Sequence, residues 1–178
     1  MDFFKSLSLV LGVLSGFSAI LLTIAGGGDG LWEHDGQIRL ERSRTRAFEV
    51  LTKPEFRKKW VEGLVESKIA PGDELNGESR LEEVVTVDGV RQTRTLKVTA
   101  FEQDSYVTFQ YMAGDVAVEI HYEVRLFRSS GKSILNYAIE AQFPGNAAKV
   151  IEPILGHMQQ GLLETDLERF KVIVEQGF

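Results

Sequence analysis

Between Ser79 and Phe143 apolar and polar residues alternate strand after strand, and from Ala147 to Glu175 the apolar residues recur at helical spacing instead. A period of two that gives way to one of 3.6 means a run of antiparallel strands followed by one long helix. That helix has to bury its apolar stripe against the sheet. The expected fold class is therefore α+β, a curved antiparallel sheet wrapped around a C-terminal helix, and such a grip encloses an apolar hollow.

Turn residues divide the alternating region at Asn76-Gly77, Asp88-Gly89, Gln103-Asp104, Gly114-Asp115 and Ser130-Gly131. A two-residue turn also sets which residues oppose one another. At Asp88-Gly89 it places Val85 against Gln92, Glu83 against Arg94 and Leu81 against Leu96; at Gly114-Asp115 it places Tyr111 against Val118 and Phe109 against Ile120. The same rule at Ser130-Gly131 places Leu126 against Leu135, Val124 against Tyr137 and Tyr122 against Ile139. All three turns put the apolar set on one face and leave Glu82, Thr93, Thr95, Lys97, Glu119, Glu123 and Glu140 on the other. Upstream, Gln37 to Ser43 alternates as a strand, Ser43 or Thr45 caps a short helix through Leu51, and Pro54 opens a second helix carrying Phe56 and Trp60. Leu64 to Ile69 reads as a further strand.

The candidate ligand-binding residues are those that turn inward: Trp60, Glu83, Arg94, Phe109, Tyr111, Tyr122 and Tyr137, with Met158 from the helix. Each tyrosine brings an apolar body and a hydroxyl in search of a partner, which suits a mostly apolar ligand with a few polar groups, although such residues also serve as plain core. The Glu83–Arg94 pair has two readings. As a polar anchor, Arg94 meets a ligand carboxylate or phosphate while Glu83 holds it. As a salt bridge at an open sheet end, neither group is deeply buried, and nearness to the turn favours this second reading. Gly156 and Gly161 interrupt the helical stripe where a ligand or a strand needs space, and Pro153 marks a kink or a start.

Leu7 to Ala25 is 19 residues without a charge, close to what a bilayer's hydrocarbon core requires. Residues 1–25 are accordingly expected to be an anchor or a signal segment, 26–36 a glycine-rich linker in which Trp32 sits at the interface or packs on the domain edge, and 37–178 the folded domain. The anchor reading makes the protein single-pass, with the domain on the extracytoplasmic side; the alternative is export after cleavage at Thr23-Ile24-Ala25. A net charge of -6 argues against nucleic acid as a partner, and the absence of cysteine excludes a disulfide framework and thiolate chemistry. His34, His121 and His157 are too scattered for a metal site, and no cofactor fingerprint or catalytic motif occurs. His157 is the histidine to test as an acid or base.

The order strand, two short helices, long meander and long C-terminal helix resembles the START-like, or SRPBCC, superfamily of polyketide cyclase/dehydrase-type and lipid-transfer domains. Ile38-Arg39-Leu40-Glu41-Arg42-Ser43 leading into Ala47-Phe48-Glu49-Val50-Leu51-Thr52, then Trp60, and finally Leu162 to Glu175 carry the likeness. The resemblance implies a hydrophobic small molecule or lipid held between sheet and helix, and it transfers no shared catalytic set. Three functions follow as expectations: binding of such a ligand near a membrane, proton-transfer chemistry by His157, Glu83 or a tyrosine on a polyketide or aromatic substrate, or an interaction domain with a filled interior.

Overall fold

A row of inward positions, Trp32, His34, Gly36, Ile38 and Leu40, runs the length of the first strand, β1 (Gly30–Leu40), which pairs antiparallel with the last strand from Gly30 opposite Phe143 to Leu40 opposite Ser133. This corrects the expected linker: residues 30–36 belong to the sheet, and Trp32 is buried in the core. Glu33 and Asp35 disguised the alternation because they are the solvent-facing half of it. The computed structural model describes residues 30–70, 72, 74–87, 89–113, 116–127, 131–143 and 165–176. The apolar segment Leu7 to Ala25, the first part of the expected long helix, and Pro153, Gly156, His157, Met158 and Gly161 all lie outside them. Among the described residues no helix is long and apolar enough to cross a membrane.

Ser43 accepts a hydrogen bond from the Arg46 amide and so caps α1 (Arg44–Thr52); Pro54 stands in the first turn of α2 (Pro54–Trp60). The strands β2 (Leu64–Ala70), β3 (Arg80–Val87), β4 (Val90–Glu102), β5 (Tyr106–Ala113), β6 (Val116–Phe127) and β7 (Lys132–Phe143) complete one antiparallel sheet in the order β1-β7-β6-β5-β4-β3-β2. Two β-bulges bend it. One extra residue between Val98 and Ala100 shifts the pairing with β5, and another between Leu64 and Glu66 shifts that with β3. After the first bulge Phe101 turns toward Phe48 of α1, with ring centroids 5.8 Å apart. Gly63 introduces β2 with φ +70°, and a Cβ there would stand 2.5 Å from the Thr86 carbonyl oxygen, so only glycine fits this approach.

Two of the three registers expected from two-residue turns occur: Glu83 opposes Arg94, Leu81 opposes Leu96, Tyr111 opposes Val118 and Phe109 opposes Ile120. The β6–β7 register does not. Phe127 pairs with Lys132, so four residues and not two separate the strands, and Tyr122 faces Tyr137, Val124 faces Leu135 and Leu126 faces Ser133. A slip of two keeps every side chain on its face, which is why the apolar set is still inward although its partners changed. Leu126, left beyond the packed region, is 62% exposed.

A further helix, α3 at 165–175, presents Leu167, Phe170 and Val174 to the core. Its end is tied down by Arg42, whose Nε and Nη2 donate to the Glu175 carbonyl at 3.1 and 2.7 Å, satisfying an acceptor that the helix leaves open.

Candidate functional site

Ser67 of β2, Glu83 of β3 and Arg94 of β4 stand in one cross-strand row on the inward face. The expected solvated ion pair is not what forms. Glu83 is fully buried and Arg94 is 8% exposed, because α2 reaches over this end of the hairpin and inserts a third charge, Arg57, itself 3% exposed. Arg57 Nε donates to Glu83 Oε1 at 2.8 Å and its Nη1 to the Leu51 carbonyl at 3.1 Å. Arg94 donates through Nε and Nη2 to Glu83 Oε2 at 2.9 and 2.6 Å, and the Ser67 hydroxyl adds a 3.4 Å bond to Oε1. Two guanidiniums around one carboxylate leave the cluster with a net charge of +1.

Aromatic rings wall it in. The Arg57 guanidinium carbon lies 5.1 Å from the Phe109 ring centre and 5.5 Å from that of Trp60, and the Arg94 one lies 5.3 Å from that of Tyr111. Trp60 in turn links roof to floor: its ring meets Phe170 of α3 edge-on at 5.3 Å and Tyr122 of β6 at 6.5 Å, while its Nε1 donates to the Val50 carbonyl at 3.0 Å. Tyr111 and Tyr122 are buried side chains whose hydroxyls make no hydrogen bond to another described residue. Six of the eight expected residues therefore converge on this spot. Tyr137 lies elsewhere on the same face, half-buried across Gly36 and 5.9 Å from the His34 ring, and Met158 is outside the described residues.

Arg57 escaped the sequence reading because it sits in the charged run Arg57-Lys58-Lys59, which looks like a solvated face. The signal was its spacing: three residues before Trp60 puts it on the buried side of α2.

Protonation follows from these surroundings. Burial pushes the Glu83 carboxyl up, but the charges and hydrogen bonds of Arg57 and Arg94 outweigh burial and hold it at about 2. An acid that stays ionised with both oxygens already bonded is a poor proton donor or acceptor, which removes Glu83 from the expected proton-transfer roles. Burial raises the Tyr111 and Tyr122 hydroxyls, so both remain protonated donors. At the α3 end, burial pushes Asp166 up to about 6 against the Glu62 amide, which donates to it, and against the charge of Arg169.

These two acids give opposite pH slopes. Glu83, lowered from 4.5, stabilises the fold above the unfolded value and that contribution is lost as pH falls from about 4.5 toward 2. Asp166, raised from 3.8, favours the fold as it takes up its proton below about 6. Thermal melts from pH 8 to 2 should therefore rise toward a maximum between about 4 and 6 and then collapse, and Asp166→Asn should flatten the neutral limb alone. A melting temperature that climbs steadily from pH 5 to 8 would contradict the Asp166 assignment, and one that stays level from about pH 4.5 down to 2 would contradict that of Glu83.

Among the described residues no group of histidines and carboxylates could hold a metal ion. His121 is engaged with Thr108, whose Oγ1 lies 2.8 Å from its Nδ1, and stands opposite Ala138.

No family model matches the chain, and no curated protein matches it. Solved structures do. Ara h 8.0201 is similar over 82% of this chain and 96% of its own, with a TM-score of 0.63 at 13% identity. A protein from Nitrosomonas europaea covers 81% and 94% with a TM-score of 0.62 at 13% identity. Major latex-like protein 151 from Panax ginseng covers 80% and 96% with a TM-score of 0.60 at 10% identity. The first and third are Bet v 1-like proteins of the SRPBCC superfamily, and at such identities the likeness establishes the helix-grip fold alone.

Proposed function

We propose that this protein binds a hydrophobic small molecule or lipid against the inward face of its sheet, beneath the C-terminal helix. The observation that carries the reading is that the hydroxyls of Tyr111 and Tyr122, on buried side chains beside the charged row of Ser67, Glu83 and Arg94, make no hydrogen bond to another described residue. A core filled by its own side chains leaves such donors bonded, whereas a binding site leaves them for its ligand. The fold is one whose Bet v 1-like members suggest the same kind of cargo. The apolar segment Leu7 to Ala25 would let the module work at a bilayer, a proposal that rests on its composition alone.

Native mass spectrometry on full-length chain extracted gently from its host tests both parts. The chain should sediment with membranes and carry a copurifying apolar molecule of lipid-like mass. A consistently ligand-free chain that also fails to take up added lipid would overturn the binding reading, and a chain wholly in the soluble fraction would remove the tether.

A further inference from the structure

Resting on that binding reading, we propose that the Arg57–Glu83–Arg94 cluster receives the anionic end of the enclosed molecule, so that the ligand is an amphiphilic acid ending in a carboxylate or phosphate and not a neutral apolar compound. The argument is one of charge and of donor count. Among the described residues Glu83 is the one acid bonded to the cluster and neutralises one guanidinium, and all three residues are nine-tenths or more buried. An uncompensated charge in such a place is strongly disfavoured unless a counter-ion joins it. Asp166 feels the charge of Arg94 through space but makes no bond to the cluster: its oxygens are taken by the Glu62 amide and Arg169, and Arg169 also pairs with Glu62.

What remains unbonded at the cluster is all donor. Arg57 uses Nε and Nη1, Arg94 uses Nε and Nη2, and among the described residues the other terminal nitrogen of each makes no hydrogen bond. The hydroxyls of Tyr111 and Tyr122 add two more donors on the same face. Guanidinium forks held beside the rings of Trp60, Phe109 and Tyr111 suit the oxygens of a planar or tetrahedral oxyanion. A neutral alcohol would satisfy one donor and leave the charge standing.

The test uses cis-parinaric acid and its methyl ester, fluorescent probes that share a chain and differ in the charged end, titrated into purified full-length protein at pH 7.5. The acid should bind about tenfold or more tightly than the ester. Arg57→Gln, which leaves Glu83 paired with Arg94 and the cluster neutral, should reduce that preference to about twofold or less while ester affinity holds, and Arg57→Lys should retain it. Circular dichroism verifies folding of each variant. On the wild type alone, the 13C-carboxyl resonance of bound labelled palmitate should stay at its ionised position at least about one pH unit below an ordinary carboxyl. Displacement by dodecyl phosphate against dodecanoate then tells which oxyanion fits. Equal binding of acid and ester, or a normal carboxyl titration, overturns the anion site and leaves the container standing. Binding of neither probe, nor of any lipid, overturns both.

Discussion

Glu83→Leu is expected to cost the fold about 3–5 kcal/mol, since it strands two guanidiniums in an apolar interior with no acid to answer them. Against a total of about 5–15 kcal/mol for a domain, that is enough to leave much of the chain unfolded at room temperature or to lower its melting point by roughly ten degrees or more. Urea titration reads the loss directly. The companion experiment is the triple variant Arg57→Met, Glu83→Leu, Arg94→Met, which should be near neutral or more stable by about 1–4 kcal/mol, because well-packed apolar groups replace a desolvated ion cluster at no Coulombic disadvantage. If the single variant is harmless, the cluster is not buried as described. If the triple variant is as damaged as the single one, the charges serve the architecture. A stable triple variant instead means that the interior carries three charges which folding does not require, and their retention then has to be explained by what they hold.

The second large effect lies at Trp60. Replacing it by alanine should remove about 3–5 kcal/mol through the cavity it leaves beneath α3, with a further penalty for the Val50 carbonyl that loses its donor. Trp60→Phe separates the two contributions: it keeps a ring between Phe170 and Tyr122 and deletes only the indole N–H, so its cost should be near 1 kcal/mol. Equilibrium unfolding of both variants decides the matter, and equal losses for alanine and phenylalanine would assign the whole effect to the hydrogen bond. Because Trp60 also stands beside Arg57, the phenylalanine variant should hold its acid preference while the alanine variant, where folded, should not.

How far the chain could be read depended on whether the information was local. Ser43, Pro54 and the Asp88-Gly89 turn act within a few residues, so both short helices and the pairing of Glu83 with Arg94 followed from them. The parity of the inward face followed too, since a strand's two sides are set by the backbone itself. Loop length between β6 and β7 was not local in this sense: four residues close that hairpin where Ser130-Gly131 suggested two, and nothing in the neighbouring alternation distinguishes the choices. β1 was missed over 30–36 for a related reason, as a glycine-rich acidic stretch becomes a strand when β7, a hundred residues later, offers it hydrogen-bond partners.

Alternation, turn chemistry and helical spacing by themselves determined a curved antiparallel sheet, its greasy side, and the residues Glu83, Arg94, Tyr111 and Tyr122 upon it. Only the tertiary structure decided that the ion pair is buried, that a third charge joins it, and that its net charge is positive. The reason is that burial and charge balance are properties of what an element is packed against: α2 brings Arg57 across 26 residues of chain to Glu83, and Asp166 is spent on Glu62 and Arg169 instead of on the cluster. Periodicity says which way a side chain points, and the partner waiting there is set by the fold.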